Sequence, residues 1–208
     1  VSAHAATIDG GGGGHAHSGA PVSAYHESLL RAPTFLGMVM FLGSEAMLFG
    51  SFFTIFFYLR FTHSPWPPQG IHVPIEATGV NTAILISSSF TMHAALISVR
   101  RNNRIGLILG LGATLMLGIT FLCLQVHEYL HLGWGPGTDA FTSGFFALTG
   151  LHGLHVFIGA TLLTIAFVRS CRGHYSADEH IGLEVTGLYW HFVDVVWVLL
   201  YTIVYLFS

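Results

Sequence analysis

Long apolar runs alternate with short polar segments along most of this chain. Five runs stand out: Thr34–Leu59, Gly79–Val99, Ile105–Val126, Phe141–Val168 and about Val185–Phe207. Each is long enough for a helix to cross a hydrocarbon core of ~30 Å, which takes about 20 residues. None shows the alternating polarity over about ten positions that marks a strand of a membrane barrel. Breakers fall between the runs: "HSPWPPQG" after the first, "RRNNR" after the second, "GWGPGTD" after the third and "RSCRGHYSADEH" after the fourth. The pattern predicts an all-α polytopic membrane protein, a bundle of five transmembrane helices over residues 34–208.

Residues 1–33 do not follow the pattern. "VSAHAATIDGGGGGHAHSGAP" has five consecutive glycines and few apolar side chains. Such a segment buries too little apolar surface to offset its ordering entropy, so it is expected to be a mobile, solvated Gly/His-rich tail. His15 and His17 offer an adventitious metal contact, the less favoured reading.

Polar residues inside the runs are the candidates for chemistry, because a lone charge at mid-bilayer is unfavourable by about 2.5 to more than 10 kcal/mol. Glu45 lies near the middle of the first run. It reads either as a hydrogen-bonded anchor to another helix or as a proton-linked site. In the fourth run "GLHGLHVFIG" places His152 and His155 three residues apart, on one helical face. Histidines so spaced suit metal or haem ligation, but the matching ligand motif on a second helix is missing. The interleaved Gly150, Gly153 and Gly159 favour close packing, with the histidines hydrogen-bonding across helices. In the fifth run Glu184, Gly187, His191 and Asp194 form one stripe. That stripe must meet protein, and Asp194 is expected to pair with His191 or with a histidine of the fourth run. Gln125, Glu128 and Asp139 lie near one membrane surface. Gly106 and Gly110 form a small-xxx-small pair that names no particular partner.

Composition sharpens the picture. Only 8% of the 208 residues are charged, against roughly 25% in soluble domains. The net charge of −3 argues against a nucleic-acid partner. Lysine is absent, and the arginines are asymmetrically placed: Arg31, Arg100, Arg101, Arg104, Arg169 and Arg172 on one side, Arg60 alone on the other. The positive-inside rule then puts the N-terminus in the cytoplasm and the C-terminus outside. Cys123 lies within a run and Cys171 in a polar loop, so no disulfide is expected.

The chain has no Walker loop, Rossmann fingerprint, nucleophile elbow or CxxCH haem attachment. Two readings survive from the residues alone: a non-redox subunit of a larger membrane complex, or a small membrane metalloprotein or transporter. Five spans without a visible repeat do not favour a transporter.

Several segments carry a family resemblance. "YWHFVDVVWVLLYTIVYL", "FFALTGLHGLHVFIG", "SEAMLFGSFF", "GVNTAILISSSF" and "LQVHEYLH" occur in this order from about Phe35 to the C-terminus. Together they resemble subunit III of the haem–copper oxidases, most closely of the cytochrome c oxidases. Members often have seven spans, and the five here resemble the bacterial five-span form. The resemblance implies a bacterial cell-membrane subunit with no haem, copper or other metal of its own and no catalytic residue. It implies direct packing on subunit I, with subunit II and other subunits nearby carrying haem and copper in a proton-pumping complex. It also implies support of proton uptake and bound phospholipid. Glu45 matches the family's mid-membrane carboxyl residue, and Arg169, Arg172 and His174 match positions that hold anionic lipid head groups. His191 and Asp194 are expected to tie the fifth span to the fourth in a polar network with Glu45, His152, His155 and Glu184. Quinol oxidases have a similar subunit, which keeps the electron donor open.

Overall fold

The computed structural model describes residues 33–68, 70, 71, 74–177 and 179–207. The tail before Pro33, with His15, His17 and Arg31, lies outside the described residues. Among the described residues there are five long helices and no strand: α1 Pro33–Thr62, α2 Ile75–Arg100, α3 Arg104–His131, α4 Ala140–Cys171 and α5 Ile181–Leu200. All five are long and apolar enough to cross a membrane.

The helices overrun the apolar runs at most ends. Once a helix is nucleated, each further residue adds a hydrogen bond whatever its polarity. Glu76 is thus drawn into the start of α2, and His127 to His131 into the end of α3. The end of α5 departs from expectation. Instead of continuing as a regular α-helix, Tyr201–Leu206 winds as a π-helical turn.

Local chemistry sets the turns. Asn102 takes a left-handed φ of 54° between α2 and α3, and Asn103 caps α3 by accepting from the Gly106 N–H at 3.1 Å. At the start of α4 the Thr142 hydroxyl accepts from the Asp139 N–H at 3.0 Å. Lipid-facing hydroxyls such as Thr54, Thr161 and Thr164 donate to the carbonyl four residues back. Their polar atoms are thereby satisfied within the helix, as a membrane requires.

The short connections make successive helices antiparallel. α2 and α3 approach closely through the glycine pair flagged in the sequence: a Cβ on Gly110 would lie 2.8 Å from the Ala95 Cβ, and one on Gly106 would lie 2.6 Å from the Ser98 Oγ. α5 and its π-turn form the centre of the bundle. Half of its apolar stretch is buried, against 11% for that of α1, so α1 is the peripheral helix. The Trp190 indole fills a slot between two glycines. A Cβ on Gly118 of α3 would come within 2.6 Å of this ring, and one on Gly159 of α4 within 2.9 Å.

Candidate functional site

The polar stripe of α5 meets α2, not α4. At one end Arg100 donates from Nε and Nη2 to Glu184 Oε1 at 3.0 and 2.9 Å. The His180 Nε2 lies 3.4 Å from the same oxygen. One helical turn further on, Gly187 receives the Met92 and Leu96 side chains; a Cβ there would be 3.0 Å from each. Next comes Ser89, whose hydroxyl donates to Asp194 Oδ2. The His191 Nδ1 lies 3.2 Å from the same hydroxyl oxygen. Trp190 and Trp197 donate from their indole N–H groups to Ser88 and Thr82, at 2.9 and 3.0 Å. The expected link of His191 and Asp194 to the fourth span is therefore corrected. Their partner is a serine of the second. The physical reason is a row on α2, Thr78, Thr82, Leu85, Ser89, Met92 and Leu96, spaced by fours and threes on one face. The tie between α5 and α4 is a different one, from the Tyr189 hydroxyl to the His155 carbonyl at 3.2 Å.

The six intramembrane candidates do not join into one network. Glu45 and His155 form a pair of their own across α1 and α4, with His155 Nε2 and Glu45 Oε2 2.9 Å apart. The other ring nitrogen decides its chemistry. His155 Nδ1 lies 2.8 Å from the Leu151 carbonyl. A carbonyl only accepts, so Nδ1 carries a hydrogen. One proton then lies between Nε2 and Oε2, and the pair has zero net charge whichever atom holds it. Phe49 packs edge-on to the imidazole with ring centroids 5.0 Å apart.

His152 stands apart from both groups. It is fully buried, and neither ring nitrogen has a hydrogen-bond partner. Its ring packs against Trp197 at a 31° tilt, centroids 4.8 Å apart, and edge-on to Phe121 at 6.0 Å.

The three basic head-group candidates gather only in part. Arg169, in the last turn of α4, lies over the Tyr175 ring with its guanidinium carbon 5.4 Å from the centroid. Arg169, His174 and Tyr175 line an open groove with Glu179, Ile181 and Gly182, and Arg172 is not among its lining residues. Burial pushes the Tyr175 phenol up, while Arg169 pulls the other way. The phenol is thus a neutral donor at physiological pH.

Sequence reasoning left two arrangements at the far end of the bundle without a role. Glu128 accepts from Thr78 at 3.0 Å and from Tyr205 at 3.1 Å, fastening α2, α3 and the π-turn together. Beside it, His127 and His131 stack with ring centroids 4.2 Å apart. The signal was their four-residue spacing in "HEYLH". Among the described residues no three His, Cys, Asp or Glu side chains converge as a metal site.

Comparison with known proteins places these features. A family model for cytochrome c oxidase subunit III matches residues 16–208. A cytochrome c oxidase subunit 3 of Thermostichus vulcanus is 42% identical over 174 residues, which is 83% of this chain and 87% of that protein. One from Synechocystis sp. is 45% identical over 172 residues, covering 82% of this chain and 74% of the relative. The human protein of the same name is 40% identical over 176 residues, 81% of this chain and 67% of its own length.

Proposed function

The chain belongs to the cytochrome c oxidase subunit III family, and on that premise we propose that it supports proton uptake and lipid binding in a proton-translocating oxidase. It packs directly against the subunit I that carries haem and copper, with subunit II alongside, in a bacterial cell membrane. Its N-terminus is cytoplasmic and its C-terminus outside. Support for the orientation comes from Arg100, Arg101, Arg104, Arg169 and Arg172, which cluster at the α2–α3 and α4–α5 ends of the bundle, opposite Arg60.

The Glu45–His155 pair carries the proposal. It holds one proton between two atoms, on a peripheral helix whose outward face the bundle does not cover. The proton can move between His155 Nε2 and Glu45 Oε2 without changing the net charge. Such a pair answers a change in charge on a neighbouring subunit by shifting a proton rather than by exposing a bare ion to lipid. The redox steps belong to the haem and copper subunits. This chain's own residues hold the proton, anchor head groups at Arg169 and His174, and present a packed wall.

The test compares complete oxidase with oxidase depleted of this chain. The expected result is an unchanged haem spectrum, an initial rate that falls more steeply as pH rises, and progressive inactivation over many turnovers. Loss of the haem signal would make the chain a cofactor-bearing component. Identical rates at every pH would remove the proton-supporting role.

A further inference from the structure

We propose that His127 and His131 form an exchangeable binding site for a divalent transition-metal ion of the Zn2+ class, at the mouth of the groove between the start of α2 and the end of α3. This goes beyond the oxidase reading and does not depend on it.

The two histidines are one helical turn apart on α3, the spacing that brings side chains i and i+4 together. Both are exposed, and their rings lie 28° from parallel. Two Zn–N bonds of about 2.0–2.1 Å at a tetrahedral angle need nitrogens roughly 3.3 Å apart. With centroids 4.2 Å apart and planes only 28° from parallel, the two rings must turn about their side-chain torsions so that both Nε2 lone pairs converge on one ion, and both side chains are exposed and have room to do so. The tautomer is already set at His131. Its Nδ1 is 2.8 Å from the His127 carbonyl, so that nitrogen carries the hydrogen and Nε2 keeps its lone pair. A backbone carbonyl on the far nitrogen is the usual device that orients a metal-binding imidazole.

Space for the remaining ligands is present. Both histidines line a groove of about 640 Å³ whose other walls include Pro74, Ala77, Asn81 and Leu124. Two imidazoles and water complete a four-coordinate shell. Imidazole nitrogen suits Zn2+, Cu2+ and Ni2+ and does not suit Mg2+ or Ca2+.

The local sequence His-Glu-x-x-His also matches the helical motif of zinc hydrolases. The structure removes that reading. Glu128 Oε2 and Oε1 are engaged by Thr78 and Tyr205, and among the described residues no third His, Cys, Asp or Glu side chain converges with the two histidines. The site holds a metal without a general base beside it.

The full chain, purified in detergent with His4, His15, His17 and His26 replaced by Gln, is titrated with Zn2+ by calorimetry. One ion per chain is expected, with affinity at least tenfold weaker in His127→Gln and in His131→Gln. X-ray absorption at the zinc edge should show two imidazole nitrogens. Unchanged affinity in the double variant, or a shell with fewer than two imidazoles, would overturn the site. A tenfold loss in Glu128→Gln would overturn it as well, since the carboxylate would then be the ligand.

Discussion

Among the described residues Glu45 has a single side-chain hydrogen-bond partner, the His155 Nε2 at 2.9 Å, and its own side chain is only 15% exposed. Glu45→Gln keeps an N–H that donates to Nε2 and abolishes the shared proton. The variant is expected to assemble normally and to lose the infrared carbonyl and carboxylate signals of this position. Glu45→Ala instead strands the imidazole nitrogen, which is unfavourable by about 1–3 kcal/mol and should lower the thermal midpoint in detergent. His152 predicts the opposite behaviour. Both of its nitrogens are buried without partners, so they contribute a desolvation penalty and no bond. His152→Phe keeps the ring contacts with Trp197 and Phe121 and should leave the thermal midpoint equal or higher. A loss of more than about 2 kcal/mol would show that the imidazole makes a polar contact.

Among the elements, α5 is held by shape on one side and by hydroxyls on the other. Its Trp190 ring occupies the slot that Gly118 and Gly159 leave open, and its indole N–H reaches Ser88. Helices in lipid gain little from burying apolar surface against each other, so close packing and interhelical hydrogen bonds carry their association. Gly118→Val drives a branched side chain into the indole, and overpacking of this kind typically costs about 1–3 kcal/mol. The same change is not expected at Gly153, where an added Cβ meets nothing within 4 Å. Thermal melts of the isolated chain, followed by Trp fluorescence, distinguish the two. Equal midpoints would show that α5 does not depend on this slot.

At the scale of the whole molecule, two surfaces of the described residues bear on the proposed role in an oxidase. One is the outer face of α1, where Met47, Ile55 and Phe61 are exposed; it suits a neighbouring subunit or lipid tails. The other is the rim between α4 and α5. There Arg169, His174 and the neutral Tyr175 hydroxyl line one groove, with Glu179 as an opposing charge. Each basic residue near a membrane surface is worth about 1 kcal/mol toward anionic lipid. Arg169→Gln should therefore reduce co-purifying phosphatidylglycerol or cardiolipin, measured by mass spectrometry, and Arg172→Gln should reduce it less, because Arg172 does not line the groove. An equal effect of the two would mean that charge on the rim, not the groove, recruits the lipid.

Number, order and approximate length of the helices were legible in the sequence, because a run of apolar residues long enough to cross lipid has few alternatives to a helix. So were the residues that need cover: Glu45, His155, Glu184, His191 and Asp194 are costly in lipid wherever they point. The family was legible as well, through motifs such as "YWHFVDVVW" and "GLHGLHVFIG". What the chain could not specify by itself was which helix covers which residue. Apolar faces in lipid are nearly interchangeable, and the rotation of each helix is settled by a few glycine slots and hydroxyl rows that act together. Only the packed bundle decided that Ser89 of α2 takes Asp194 and His191, that His155 turns to Glu45 while His152 turns inward to Trp197, and that Arg172 stays out of the groove that Arg169 lines.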